Sequence, residues 1–278
     1  MKKHLSTIIL VLAFFAGLSL MLYPTVSDYI NSLHQSEAIA EYAENISELD
    51  EEEYERLRQE AMEYNNSLAA KENLWSLSDE EKNKYYQTLN INDNGVMSYI
   101  EIPKINCYLP IYHGTDEGVL QTSIGHIPGT SLPIGGENSH CVLSGHRGLP
   151  SAKLFSELDQ LTKGDLFHIR TLNEELTYEV DQILIVLPTE VDSIKIDPGQ
   201  DYCTLVTCTP YGVNSHRLLV RGHRVEKQNK TKVIRVVSDA LQIEPIIVAS
   251  MIATPILLIM LIGVMTSNPN KKVNSKEG

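Results

Sequence analysis

The sequence predicts an all-β domain, a closed or nearly closed barrel, set between a helical N-terminal region and an apolar C-terminal stretch. Three observations lead there. From Asn94 onward the hydrophobic pattern has a period of two, in short runs rich in Val, Ile, Leu and Tyr separated by Gly, Pro, Asp and Asn. Residues 26–90, in contrast, hold few Gly or Pro and repeat their apolar positions at three- and four-residue steps. Two long uncharged segments lie near the ends of the chain.

Leu5 to Tyr23 carries no charge, follows Lys2 and Lys3, and at about 19 residues can span a bilayer of about 30 Å. Small residues suited to signal cleavage are poorly represented before Pro24, so residues 1–25 are expected to be an uncleaved signal anchor. In residues 26–92, Ala38, Ile39, Tyr42 and Ile46, then Tyr54, Leu57, Ala61 and Met62, mark amphipathic helices with solvated acidic faces. Ser78 followed by Asp79, Glu80 and Glu81 suits the cap and first turn of another helix. The acidic, polar composition here suggests poor core material, so removal of residues 1–90 is expected to leave the barrel folded.

In residues 93–226 the expected strands are 96–102, 104–112, 140–144, 165–170, 175–187, 202–208 and 217–224, with a short helix over 149–161 after Pro150. Many short strands with one small helix suit a barrel. Residues 227–244 read as a polar linker. Residues 245–266 are uncharged and long enough for a second span, in which Pro255 is expected to introduce a kink, and residues 267–278 form a basic tail with Lys271, Lys272 and Lys276. Positive residues at both ends put the ends in the cytoplasm and the barrel outside the cell. The net charge of −13 supplies no basic footprint for nucleic acid.

The chemistry concentrates at Thr204-Leu-Val-Thr-Cys208-Thr-Pro-Tyr-Gly-Val-Asn-Ser-His-Arg217. A strand ends near Cys208, Pro210 and Gly212 turn the chain, and a second strand returns with Arg217. A symmetric hairpin pairs Cys208 with Arg217, with Cβ atoms about 5 Å apart. A thiol beside a guanidinium is one whose anion, the nucleophilic form, is favoured. Upstream, Cys141-Val-Leu-Ser-Gly-His146-Arg-Gly carries His146 just past another strand on a glycine-flanked loop. His140, His216 and His223 are competitors for the base, but strand alternation turns His216 away from the Arg217 face. Cys107, Cys141 and Cys203 sit inside apolar runs, where a buried structural thiol is expected. No cysteine pair has zinc-ligand spacing, so neither a metal nor a cofactor is expected.

Taken together, these motifs resemble the sortases, cysteine transpeptidases of the Gram-positive cell surface. The stretch Cys208-Thr-Pro-Tyr-Gly-Val-Asn-Ser-His-Arg-Leu-Leu-Val-Arg-Gly222 is most similar to class C, the pilin-polymerising branch, and the likeness extends back through Gly95-Val-Met-Ser-Tyr-Ile-Glu-Ile-Pro-Lys-Ile and Leu109-Pro-Ile-Tyr-His-Gly-Thr. The resemblance implies a sortase-type closed β-barrel of about eight strands with short helices, an N-terminal helical lid and flanking transmembrane helices. It implies Cys208 as nucleophile, His146 as acid–base and Arg217 as oxyanion donor. The implied partners are pilin or surface proteins with LPxTG-like sorting signals, an acceptor lysine amine and the membrane. The family lid uses an Asp-Pro-aromatic motif, which is missing before residue 90; Trp75 stands in the corresponding place, with packing against the barrel as its other reading. Two other functions remain open at this level: a non-catalytic scaffold that binds pilins, and a housekeeping-type enzyme that anchors proteins to the cell wall.

Overall fold

The computed structural model describes residues 2–69, 71, 76–91, 93–226, 254, 255 and 258. Trp75, the linker, most of the expected C-terminal span and the basic tail lie outside the described residues. Asp28–Lys230 forms one compact unit; Met1–Ser27, the apolar start of the first helix, belongs to another.

Eight strands close a barrel: β1 (Val96–Ile102), β2 (Cys107–His113), β3 (Ile124–His126), β4 (Ser139–Ser144), β5 (Leu166–Thr171), β6 (Glu174–Val186), β7 (Asp201–Thr209) and β8 (His216–Val225). Around the barrel they run β1-β2-β3-β4-β7-β8-β6-β5, with β5 returning to β1. Only β2/β3 and β4/β7 pair in parallel. Closure leaves no open sheet edge. Inside, side chains such as Met97, Ile100, Ile111, Phe167, Ile169, Leu205 and Val220 are fully buried and form one apolar core.

Most of the expected strands appear within a few residues of their predicted bounds. Three differences have physical causes. The predicted start of β2 at residue 104 is instead a 3-10 turn, Pro103–Ile105, because Pro103 favours the first helical position and Asn106 reverses the chain at φ 48°. β3 is too short to show a period. The helix expected over 149–161 is replaced by turns and a 3-10 segment, Leu158–Gln160; Leu154 takes a left-handed φ of 39°, which no α-helix accommodates.

Three helices precede the barrel: α1 (Lys2–Glu48), α2 (Glu51–Ala69) and α3 (Asp79–Gln87). The apolar run in α1 is long enough to cross a membrane. Ser78 caps α3 in a full capping box with Glu81. The expectation that these helices are poor core material is corrected by the structure. Ile39, Tyr42, Ile46, Leu57, Ala61, Tyr64, Leu68 and Tyr85, with Leu89 just past α3, are buried, nearly all in the barrel's own apolar cluster. The acidic residues occupy the opposite faces, as amphipathic helices require.

A buried polar side chain in each helix then bonds to backbone groups of the barrel. In α1, Tyr42 Oη donates to Met97 O at 3.0 Å and accepts from Leu172 N at 2.9 Å. In α2, the Asn65 amide both accepts from Leu132 N at 2.7 Å and donates to Leu132 O at 3.2 Å. In α3, Tyr85 Oη donates toward His126 and accepts from Gly114 N at 2.9 Å. Removing residues 1–90 therefore exposes apolar side chains worth about 1.5–3 kcal/mol each and orphans backbone groups at about 1–3 kcal/mol each. Such a truncation is expected to unfold or aggregate in thermal melts, whereas removal of residues 1–27 alone is expected to leave a folded protein.

Candidate active site

The β7–β8 hairpin has the predicted register. Cys208 pairs directly with Arg217, and the chain turns through Pro210 to Ser215. Val213 N and Asn214 N both donate to Pro210 O, at 3.1 and 2.9 Å, while Gly212 and Asn214 take positive φ values of 75° and 58°. Glycine and asparagine are the residue types that tolerate that region best. Arg217 Nη1 donates to Asn214 O at 3.2 Å and His216 O at 3.1 Å. Those two bonds hold the guanidinium near its own turn and leave Nη2 and Nε for another acceptor.

His146 arrives from the other side of β7. The parallel β4/β7 ladder keeps a constant register from Ser139↔Asp201 to Ser144↔Val206. Gly145 carries the attachment one residue further: its N–H donates to Val206 O at 3.1 Å, and its carbonyl accepts from Thr207 Oγ1 at 2.7 Å. Continuing that register by two residues brings the backbone of His146 level with Cys208. Continued in this way, the register lines up the backbones of His146, Cys208 and Arg217 in a row at strand spacings of about 5 Å, of which the Cys208–Arg217 pair alone belongs to a strand ladder. All three are partly exposed, so a substrate can reach them.

Glycine is needed beside the histidine. A Cβ on Gly145 would lie 2.7 Å from Phe155 Cδ2 and 2.8 Å from Ile124 Cγ2, both in buried side chains. The close approach lets Phe155 pack beneath the loop, where Phe155 N donates to His146 O at 3.2 Å. Further along, Asp28 Oδ1 accepts from Lys153 N at 2.7 Å and Asn31 Nδ2 donates to Ser151 O at 2.7 Å, so α1 grips the same loop.

The competing histidines have other partners. His140 is buried, with Nδ1 at 2.6 Å from Lys195 O and Nε2 at 2.7 Å from Thr204 Oγ1; burial holds its pKa below the usual range. His223 pairs with Tyr202 at the far end of the hairpin. His216 Nδ1 lies 2.9 Å from Ser215 Oγ. All four cysteines are free thiols, and only Cys208 escapes burial. Burial pushes the Cys107 thiol up to about 12 and holds Cys203 well above its ordinary value, which keeps both protonated.

Strand alternation puts Val206 and Leu219 on the same face as Cys208 and Arg217. They pack with Val142 and Ile194 in a small apolar cluster flanked by Leu184, Val186 and Val191. Cys208 therefore sits at the end of an apolar floor. A separate cavity of about 350 Å³, lined by Tyr42, Tyr99, Arg170 and Glu174, lies at the start of β6, the length of that strand from Val186, the partner of Arg217. It is remote from this row.

Residues 100–225 match the sortase domain model. The crystal structure of sortase C1 from Streptococcus agalactiae is 52% identical, with a TM-score of 0.68, and the alignment covers 69% of this chain and 100% of that one. The chain belongs to the sortase family. A Clostridium perfringens sortase C structure, solved with a C-terminal cell wall sorting motif, is 44% identical at a TM-score of 0.60, covering 69% of this chain and 99% of that one. Sortase D of Bacillus subtilis (strain 168) is 35% identical over 129 residues, which is 45% of this chain and 62% of that protein. The chain thus spans under two thirds of the length of that curated relative, while the alignments with these two sortase C structures cover nearly the whole of each.

Sequence reasoning located the cysteine and arginine through hairpin symmetry. It missed Arg147, whose guanidinium is nearly buried between the histidine loop and the cysteine turn. Its position directly after His146 on a glycine-flanked loop was the only available signal.

Proposed function

We propose that this sortase is a membrane-anchored cysteine transpeptidase of pilus assembly. It cleaves an LPxTG-like sorting motif and joins the released acyl group to a pilin lysine. The observation that carries the proposal is the direct pairing of Cys208 with Arg217, with the β4/β7 register leading toward His146 on the other side of Cys208.

The Cys208 thiolate attacks the scissile carbonyl carbon, and the carbonyl electron pair moves onto oxygen. Arg217 donates to that oxyanion; one such donor lowers the barrier by about 3–4 kcal/mol. The intermediate collapses to a thioester as the amide nitrogen departs with a proton from His146. A lysine amine then attacks the thioester, gives its proton to His146, and expels Cys208 as thiolate. Arginine keeps its proton throughout, so it cannot serve as the base. The apolar floor formed by Val206, Leu219 and Ile194 suits the Leu-Pro part of the motif. Two spans, with the barrel outside the cell, are part of this reading, and Trp75 is proposed as the lid aromatic.

Full-length protein in detergent, given a peptide containing Leu-Pro-x-Thr-Gly and an amine-bearing peptide, is expected to yield the cross-linked product. Peptide binding without cleavage would instead favour the scaffold reading. Acceptance of peptidoglycan stem amines in preference to lysine would favour the housekeeping one.

A further inference from the structure

We propose that Arg147 is a positioning residue that fixes the histidine loop against the cysteine turn. The inference rests on the reading of Cys208 and His146 as nucleophile and acid–base. The ladder between β4 and β7 ends at Ser144 and Val206, and Gly145 makes the last backbone attachment. Beyond it, β pairing no longer fixes where His146 stands relative to Cys208.

Arg147 supplies the missing connection. Its Nη1 reaches Thr209 Oγ1 at 3.5 Å, so the residue after the histidine touches the residue after the cysteine. Nη2 pairs with Asp159 on the 3-10 turn Leu158–Gln160. The guanidinium lies 5.9 Å from the ring centroid of Tyr211, in the β7–β8 turn. That ring in turn rests on Gly148: a Cβ there would fall 2.6 Å from Tyr211 Cε2. Gly148 also has a φ of 76°, and its N–H donates to Ser156 Oγ at 2.9 Å. One planar cation thus joins three segments, a geometry that a lysine ammonium cannot copy.

The burial of this arginine strengthens the inference. Its side chain is only 11% exposed, and among the described residues Nε is buried without a hydrogen-bond partner. An ordinary surface arginine has no reason to carry such a cost. The side chain is held inside by its two terminal nitrogens and its face, where the histidine loop and the cysteine turn meet.

Arg147→Gln and Thr209→Val in full-length protein in detergent test the proposal, with two readouts. The first is the pH profile of Cys208 alkylation by iodoacetamide, which needs no substrate. The second is turnover of a fluorogenic Leu-Pro-x-Thr-Gly peptide. Arg147→Gln is expected to lower kcat on the order of 100-fold, the effect of misplacing a catalytic group by about 1 Å. KM should stay within about twofold, because substrate contacts are not lost. The alkylation profile should lose the inflection that His146→Ala also removes. Thr209→Val is expected to show the same changes in smaller degree. A wild-type alkylation profile in Arg147→Gln at unchanged melting temperature would overturn the proposal. So would a raised KM at normal kcat, or a loss of activity that only follows a lowered melting temperature. Should the wild-type protein fail to cleave the peptide, the proposed function falls, while the alkylation profile still decides the role of Arg147.

Discussion

Replacing Cys208 with alanine is expected to abolish transpeptidation, by on the order of 10⁴-fold or more, and to leave the melting temperature nearly unchanged. Cys208 is half-buried at the end of β7, so shortening it removes little packing; a substitution of that kind shifts stability by about 0.5 kcal/mol. The reaction, in contrast, loses the atom on which the acyl group resides. The other cysteines should show the reverse pattern. Cys107 and Cys203 are buried in the barrel core, and their replacement by alanine is expected to cost about 1–2 kcal/mol of stability while turnover stays near normal. Parallel thermal melts and peptide-cleavage assays on the three variants separate the two effects. Equal losses of activity in all three would contradict the assignment of Cys208.

Arg217→Lys is expected to lower kcat by about 10²–10³-fold although the charge is kept. In the native hairpin, Nη1 is tied to the carbonyls of Asn214 and His216, which leaves Nη2 and Nε of the guanidinium for an oxyanion. A lysine has three donors on one freely rotating nitrogen. If it satisfies those two carbonyls it draws its charge back into the turn, and if it reaches the substrate it leaves them unpaired. The effect should fall on kcat, since the oxyanion exists only on the way to and from the tetrahedral intermediate. Steady-state kinetics on a Leu-Pro-x-Thr-Gly peptide checks this, and near-normal kcat in Arg217→Lys would mean that the arginine acts only as a diffuse positive field.

The two halves of the site differ in how legible they were. Cys208 and Arg217 are joined by a short turn, so local symmetry alone gives their pairing, and the turn residues Pro210 and Gly212 announce it. His146 comes to the Cys208 end of β7 only because β4 and β7 pair in parallel, and no turn connects them. That adjacency is a property of the closed barrel and leaves no periodic trace in either strand; only family resemblance pointed to it. β3 escaped notice for a related reason, since three residues carry too little pattern and its pairing with β2 is long-range. The helices show a different failure. Their apolar stripe, Tyr42 included, was visible, but Glu and Asp dominate their composition, and Tyr64, Tyr85 and Asn65 do not look like core. In the structure Tyr42, Tyr85 and Asn65 are core because their polar atoms meet unpaired backbone groups of the barrel. The turns over 149–161 illustrate the limit of propensity. Leu, Phe and Ser residues there satisfy a helical pattern, yet the loop must place Phe155 under His146 and Ser156 against Gly148, and both contacts require the reversed backbone at Leu154.

The central claim, that this sortase works through an acyl group on Cys208, is most directly tested by mass analysis of a quenched reaction. Full-length protein in detergent is mixed with a Leu-Pro-x-Thr-Gly peptide in the absence of an acceptor amine, acid-quenched, digested and mapped. The mass of the cleaved peptide's acyl portion is expected on the fragment containing Cys208, and adding the amine peptide before the quench should discharge it into the cross-linked product. The same mass found on the fragment of Cys107, Cys141 or Cys203, or cleavage with no acylated fragment at any time point, would contradict the account.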